Sequence, residues 1–246
     1  MGDVPPTKPD NSTLRFIDSM PRPLLVLFIV GGVVAVVSAL IFIIHPPRSA
    51  TIPVQDRRPP PRGTLSHDVG QLVPVPLPSV LPSLPPACPV FAKTVLEVGP
   101  AGALRLRQVL ADLCRLSHGG VPPELTTAID GLEHATIRFA AFQRDGVEST
   151  LDFATGTVWL NLKFSVSNIP VEQVAPVMVH EGWHLAHRSD AVTAEQELDA
   201  RRAEVDACRE LMSIDKWPRW CNDARTLTDL PHARAIALLV SAGYRP

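Results

Sequence analysis

The chain has no surplus of either charge. Its 23 lysines and arginines stand against 25 aspartates and glutamates, a formal net charge of −2. Nothing in that balance points to a nucleic-acid partner, whose phosphates select a basic surface. There is no internal repeat, which excludes a solenoid or a propeller. Only one tyrosine is present, Tyr244, and there are four cysteines, none of them before residue 88. Charge is missing altogether from residues 24–44, "LLVLFIVGGVVAVVSALIFII", which carry a single hydroxyl. At about 1.5 Å per residue, a helix of this length crosses the ~30 Å apolar core of a bilayer. A cleaved signal peptide would have a shorter apolar region and a small-residue cleavage site, whereas this run continues into "HPPRSAT". We therefore expect a short N-terminal tail (1–23) and one uncleaved transmembrane helix (24–44).

The flanking charges do not orient that helix. Lys8, Arg15 and Arg22 precede it, and Arg48, Arg57, Arg58 and Arg62 follow it. The cysteines are more informative. Cys88, Cys114, Cys208 and Cys221 all follow the apolar run, and an even number on one side of a membrane suits disulfides in an oxidising compartment. Cys208 with Cys221 would close a short loop, leaving Cys88 with Cys114. This places the C-terminal part outside the cytoplasm, in a periplasmic or extracellular space.

Between the membrane run and that part lies a tether. Residues 46–91 hold 13 of the 26 prolines. Proline lacks the backbone donor that helices and sheet interiors require, so 45–87 reads as an extended linker whose apolar end, residues 71–87, can lie against the folded domain. From residue 88 to 246 the composition becomes ordinary, and periodicity predicts the elements. "AGALRLRQVLADLCRL" and "PPELTTAIDGLEHA" have helical spacing. "TIRFAAF", "VESTLDF" and "TVWLNLKF" are alternating or β-branched, separated by the turn signals "RDG" and "ATG". They read as a three-stranded meander over roughly 136–164. Helical spacing returns from Val171, with Pro176 in or near a first turn. It breaks at Ser189-Asp190 and resumes in "TAEQELDARRAEVDACRELMSI", opened by a capping box of Thr193 and Gln196. A last helix covers "DLPHARAIALLVSA". The expected class is α+β, a small antiparallel sheet packed with helices. Nothing in the pattern specifies an oligomeric state.

Chemistry concentrates in "VMVHEGWHLAHRSD", residues 177–190. His180 and His184 are four apart, so both imidazoles leave one face of a helix and can share one cation. Glu181, adjacent to the first ligand, is placed to take a proton from a metal-activated water. A catalytic zinc site needs a third protein ligand. The turn near 189–192 is short, so the next helix runs antiparallel to the first, bringing positions about 197–204 level with the histidines. Glu197 and Glu204, seven apart on one face, are the two candidates, with Glu197 preferred. Trp183 reads as core. His187, also on the histidine face, is either a partner of the ligand shell or a cation at the helix C-terminus.

The motif followed by a glutamate helix resembles the gluzincin class of zincin metallopeptidases. "ELDA" at Glu197 and "EVDA" at Glu204 are similar to part of the E-x-x-A-D motif of membrane-bound CAAX-processing peptidases, with Arg201 and Cys208 in the aspartate's place. His184-Leu-Ala-His187-Arg-Ser-Asp190 also resembles the HExxHxxGxxD of snapalysin-like metzincins, which makes Asp190 a third, weaker ligand candidate. The resemblance covers about 170–212. It implies Zn2+ held by His180, His184 and Glu197, Glu181 as general base, and a peptide or protein substrate. It also implies that residues 157–164 form an edge strand receiving extended substrate. A silent binding domain, or a zinc hydrolase of a cell-envelope amide, would carry the same motif.

Overall fold

A computed structural model of the chain describes residues 63–75, 88–166, 168–188 and 191–246. The expected membrane helix (24–44), the tail before it and Asp190 lie outside these residues. Among the described residues no helix is long and apolar enough to cross a membrane.

The fold is α+β, with a small sheet packed with helices. In chain order it comprises β1 (Leu72–Pro74), β2 (Val95–Leu96), α1 (Pro100–Ser117), α2 (Pro123–Asp130), β3 (Thr136–Phe142), β4 (Ser149–Asp152) and β5 (Thr157–Asn161). Four helices follow: α3 (Ala175–Ala186), α4 (Ala194–Leu211), α5 (Arg219–Thr228) and α6 (His232–Ser241). Strand order is β1-β3-β5-β4, with β2 also on β3.

This order corrects the expected antiparallel meander: the sheet is mixed. The "ATG" turn does join β4 and β5 as an antiparallel hairpin, closed by Gly156 N–H to Asp152 O at 2.8 Å. However, β5 then inserts beside β3, parallel to it, with Thr136 opposite Thr157. Strands adjacent in sequence need not pair, and here the more apolar strand takes the interior position. Val158 and Leu160 face the helices with Ile137, Phe139 and Leu151. As a result 157–161 is not an edge, and the substrate-pairing role expected of it cannot fall there. The edge is β4.

The second correction concerns the tether. Within residues 63–75, read as linker on composition, Leu72–Pro74 form a strand of the sheet and Leu65 makes an isolated bridge to Asp152. β1 pairs antiparallel with β3, and Val69 and Leu72 cover Trp159 and Ala140 on the sheet face turned away from the helices. Two strands that each present apolar residues on both faces need such a cover, and this strap provides it.

The helices place the motif. Ala175 through Leu185 of α3 are all buried, and Pro176 lies in its first turn. α2 crosses α3 at glycines: a Cβ on Gly182 would lie 2.2 Å from Ala128 O, and one on Gly131 would lie 2.1 Å from Gly182 O. Only a residue without a side chain permits that approach. The capping box that opens α4 forms as expected. Gln196 N–H donates to Thr193 Oγ1 at 3.2 Å, and Thr193 N–H donates to Gln196 Oε1 at 3.1 Å.

Cys88–Cys114 and Cys208–Cys221 are disulfide-bonded. The second ties α5 to the end of α4, and a loop of that length contributes about 3 kcal/mol in the chain-entropy account.

Candidate metal centre

α3 supplies two imidazoles and α4 one carboxylate, and the three donors converge. Glu197 Oε2 lies 3.2 Å from His184 Nε2 and 3.5 Å from His180 Nε2. One ligand atom from each residue falls within 4.8 Å of the others. Two ligands at zinc-like bond lengths and a tetrahedral angle are ~3.4 Å apart, so the spacing fits a single cation. All three residues are buried, with Glu197 only 1% exposed. This His180, His184 and Glu197 group could hold a metal ion. The contacts also fix the helix direction: His184 meets Glu197 while His180 reaches toward Glu204, so α4 runs antiparallel to α3.

Glu204, the rival ligand, has a different place. Its Oε2 lies 3.2 Å from His180 Nδ1, the ring nitrogen facing away from the donor cluster. That is close enough for an ion pair, and among the described residues His180 Nδ1 has no hydrogen-bond partner of good alignment. A carboxylate that close to the outer nitrogen of an imidazole favours the ring's protonated form. Arg201 bridges the two glutamates, with Nε 2.8 Å from Glu197 Oε1 and Nη1 3.0 Å from Glu204 Oε2. It thereby occupies one oxygen of Glu197 and leaves the other turned toward the histidines.

The charges are mutually dependent. Burial, the largest single influence, would drive His180 toward neutrality, but Glu197 and Glu204 together outweigh it and push the pKa up to about 9. Burial would likewise raise Glu197, yet His180 and Arg201 hold its carboxyl well below the usual range. The Arg201 guanidinium is held charged by both glutamates against the cost of burial. In the absence of a cation, a proton on His180 does the work of one.

Glu181 is fully buried. Its Oε1 accepts a hydrogen bond from Ser149 Oγ at 2.6 Å, while Oε2 is buried with no hydrogen-bond partner among the described residues. A buried acceptor left open beside a donor cluster is the place where a third party, such as a water, would sit.

His180, Glu181 and Glu197 line a cleft of about 460 Å³, a volume suited to a few side chains. Two further groups reach it that the sequence reading did not assign. His67 comes from the strap, and burial lowers its pKa even though Glu181 and Glu197 pull the other way. Tyr244 comes from the C-terminal tail, which is held by Ala194 N–H donating to Arg245 O at 2.7 Å. Burial and then the neighbouring Glu197 raise its phenol pKa, keeping it protonated. Proline density hid the first, and position alone gave no support to the second.

His187 does not join the centre. α3 ends before it, its ring stacks on Trp183 at 4.0 Å, and its Nδ1 lies 2.9 Å from Trp183 O. Trp183 itself is buried, as expected. Compared with known protein families, with curated proteins and with solved structures, the chain matches none.

Proposed function

We propose that the domain is a zinc-dependent peptidase of gluzincin-like plan, tethered to a membrane through residues 24–44 and acting outside the cytoplasm. The observation that carries this reading is the convergence of His180 Nε2, His184 Nε2 and Glu197 Oε2 beside the buried Glu181. Two imidazoles and one carboxylate are a donor set suited to zinc with a position left open. Zinc bound there would polarise the scissile carbonyl and acidify a water. Glu181 does the proton work: Ser149 fixes Oε1, and the open Oε2 takes the water's proton and returns it to the leaving amine. Tyr244 and His67 add hydrogen-bonding groups at the cleft wall for the substrate carbonyl. The two disulfides support an oxidising compartment.

The test is a pair of variants. Glu181→Gln should retain one equivalent of zinc and lose turnover by roughly 10²–10⁴-fold. His180→Ala should lose both. Undiminished hydrolysis by Glu181→Gln would refute the assignment, and full zinc occupancy in His180→Ala would refute the ligand set.

A further inference from the structure

The outer side of β4 is only partly free. The strap runs along it antiparallel, with Leu65 opposite Asp152. Phe153 N–H donates to Thr64 O at 2.8 Å, and Ser66 N–H donates to Leu151 O at 2.8 Å. Ser66 Oγ ends the row, accepting from Leu151 N–H at 3.1 Å and lying 3.0 Å from Thr150 Oγ1. Beyond Ser66 the chain leaves the ladder, and His67 and Asp68 line the cleft. Alternation along a strand turns the backbone groups of Ser149 to the same side as those of Leu151. Ser149 is therefore the last open rung. The cleft wall agrees: residues 144–149 line it, and none of 150–153 does.

An extended peptide that joins this edge antiparallel, passing Glu181, runs against β4 from its C-terminal end toward its N-terminal end. Its amino-terminal residues would lie opposite Leu151 and Phe153, where the strap already sits. The strap is no flap. Ser66, Val69 and Leu72 are 6%, 1% and 2% exposed, and the last two are packed into the sheet. Resting on the peptidase reading above, we propose that the strap is a fixed wall closing the upstream end of the substrate cleft, so the enzyme cleaves peptides close to a free amino terminus. The substrate's amino group meets the turn at His67–Asp68, and the rest of the peptide leaves past residues 144–148. Asp68 is exposed there. Its Oδ1 accepts Gly70 N–H at 2.9 Å, and the carboxylate charge is available to an α-ammonium group.

The experiment uses the zinc-loaded full chain and its Glu181→Gln variant, with one decapeptide in four forms: unmodified, amino-acetylated, extended at its amino end, and amidated at its carboxyl end. Glu181→Gln should bind the unmodified and amidated forms alike, and the acetylated and extended forms roughly tenfold more weakly. The active protein should release single residues or dipeptides from the amino end, read by mass spectrometry. Ser66→Pro, which removes the donor to Leu151 O, should recover binding of the extended form and begin cutting internally. If that variant does not fold, Ser66→Ala, which loses only the Oγ contacts, should shift both readouts in the same direction by less. Equal binding of all four forms, or internal cleavage by the unaltered protein, would overturn the wall and leave the peptidase standing. No cleavage of any form by zinc-loaded protein would overturn both.

Discussion

α3 and α4 contribute to the same centre by opposite means. α3 is buried from Ala175 to Leu185, and packing alone sets its place: apolar neighbours surround it, and glycines at 131 and 182 let α2 come to backbone contact. α4 is half wet, with Glu195, Arg202, Arg209 and Glu210 exposed, and it turns charged groups inward. Glu197 and Glu204 are paired with Arg201 and His180, while Ala200, Ala203 and Ala207 seat the helix against the core. Shape positions the imidazoles and Glu181; charge orients the carboxylate of Glu197. The two kinds of positioning should fail differently.

Gly182→Ala should produce the largest effect. The added methyl meets backbone, which cannot swing aside, so the cost lies at the upper end for overpacking, about 3 kcal/mol or more. For a chain of this size that lowers Tm by roughly 6–12 °C. Thermal unfolding followed by circular dichroism reads it, and added zinc should not restore the loss, because the donors themselves are displaced.

Arg201→Met comes next and separates the two helices. It strands two buried carboxylates. Breaking a buried ion pair costs about 3–5 kcal/mol, reduced here to roughly 2 because the arginine side chain is 30% exposed. Zinc, being a cation, should recover part of that stability. Equal rescue of both variants, or of neither, would erase the distinction between shape and charge.

A further handle on the charged half of the centre is the pH response of the metal-free protein. His180 has its pKa raised from 6.5 to about 9. Its contribution is complete below 6.5, where the unfolded chain is also protonated, and it is lost as pH rises toward 9. Glu197, depressed, contributes above the ordinary carboxyl range and loses that only in acid. Hence Tm without metal should fall between pH 6.5 and 9, and the gap to the zinc-loaded protein should widen. A gap that narrows would contradict the proton's place on His180.

Much of the centre was legible in the sequence because it is local. Helical period places His180 and His184 on one face, and a short turn folds the next helix back to bring Glu197 level with them. Thr193 and Gln196 announced the start of that helix. The choice of Glu197 over Glu204 depends on side-chain reach, and spacing alone left both open. Sheet order was not legible: alternation says which face a residue takes but not which strand lies beside it, so β5 entered the interior unannounced. The strap was concealed by the prolines on either side of it, although Val69 and Leu72 are its buried residues. Ser149 looked like any hydroxyl in an alternating strand, and its meeting with Glu181 depends on a contact 32 positions away.

The strap also bears on the order of assembly. The donors of the candidate centre belong to neighbouring helices and can meet after closing one short turn, whereas Leu65 must find Asp152, 87 positions away. Contacts between distant positions form slowly, since loop entropy is lost before they form. On the proposed function, a newly made chain would be able to bind zinc before its cleft has an end, and refolding should pass through a stage that binds metal but does not yet discriminate between peptide ends.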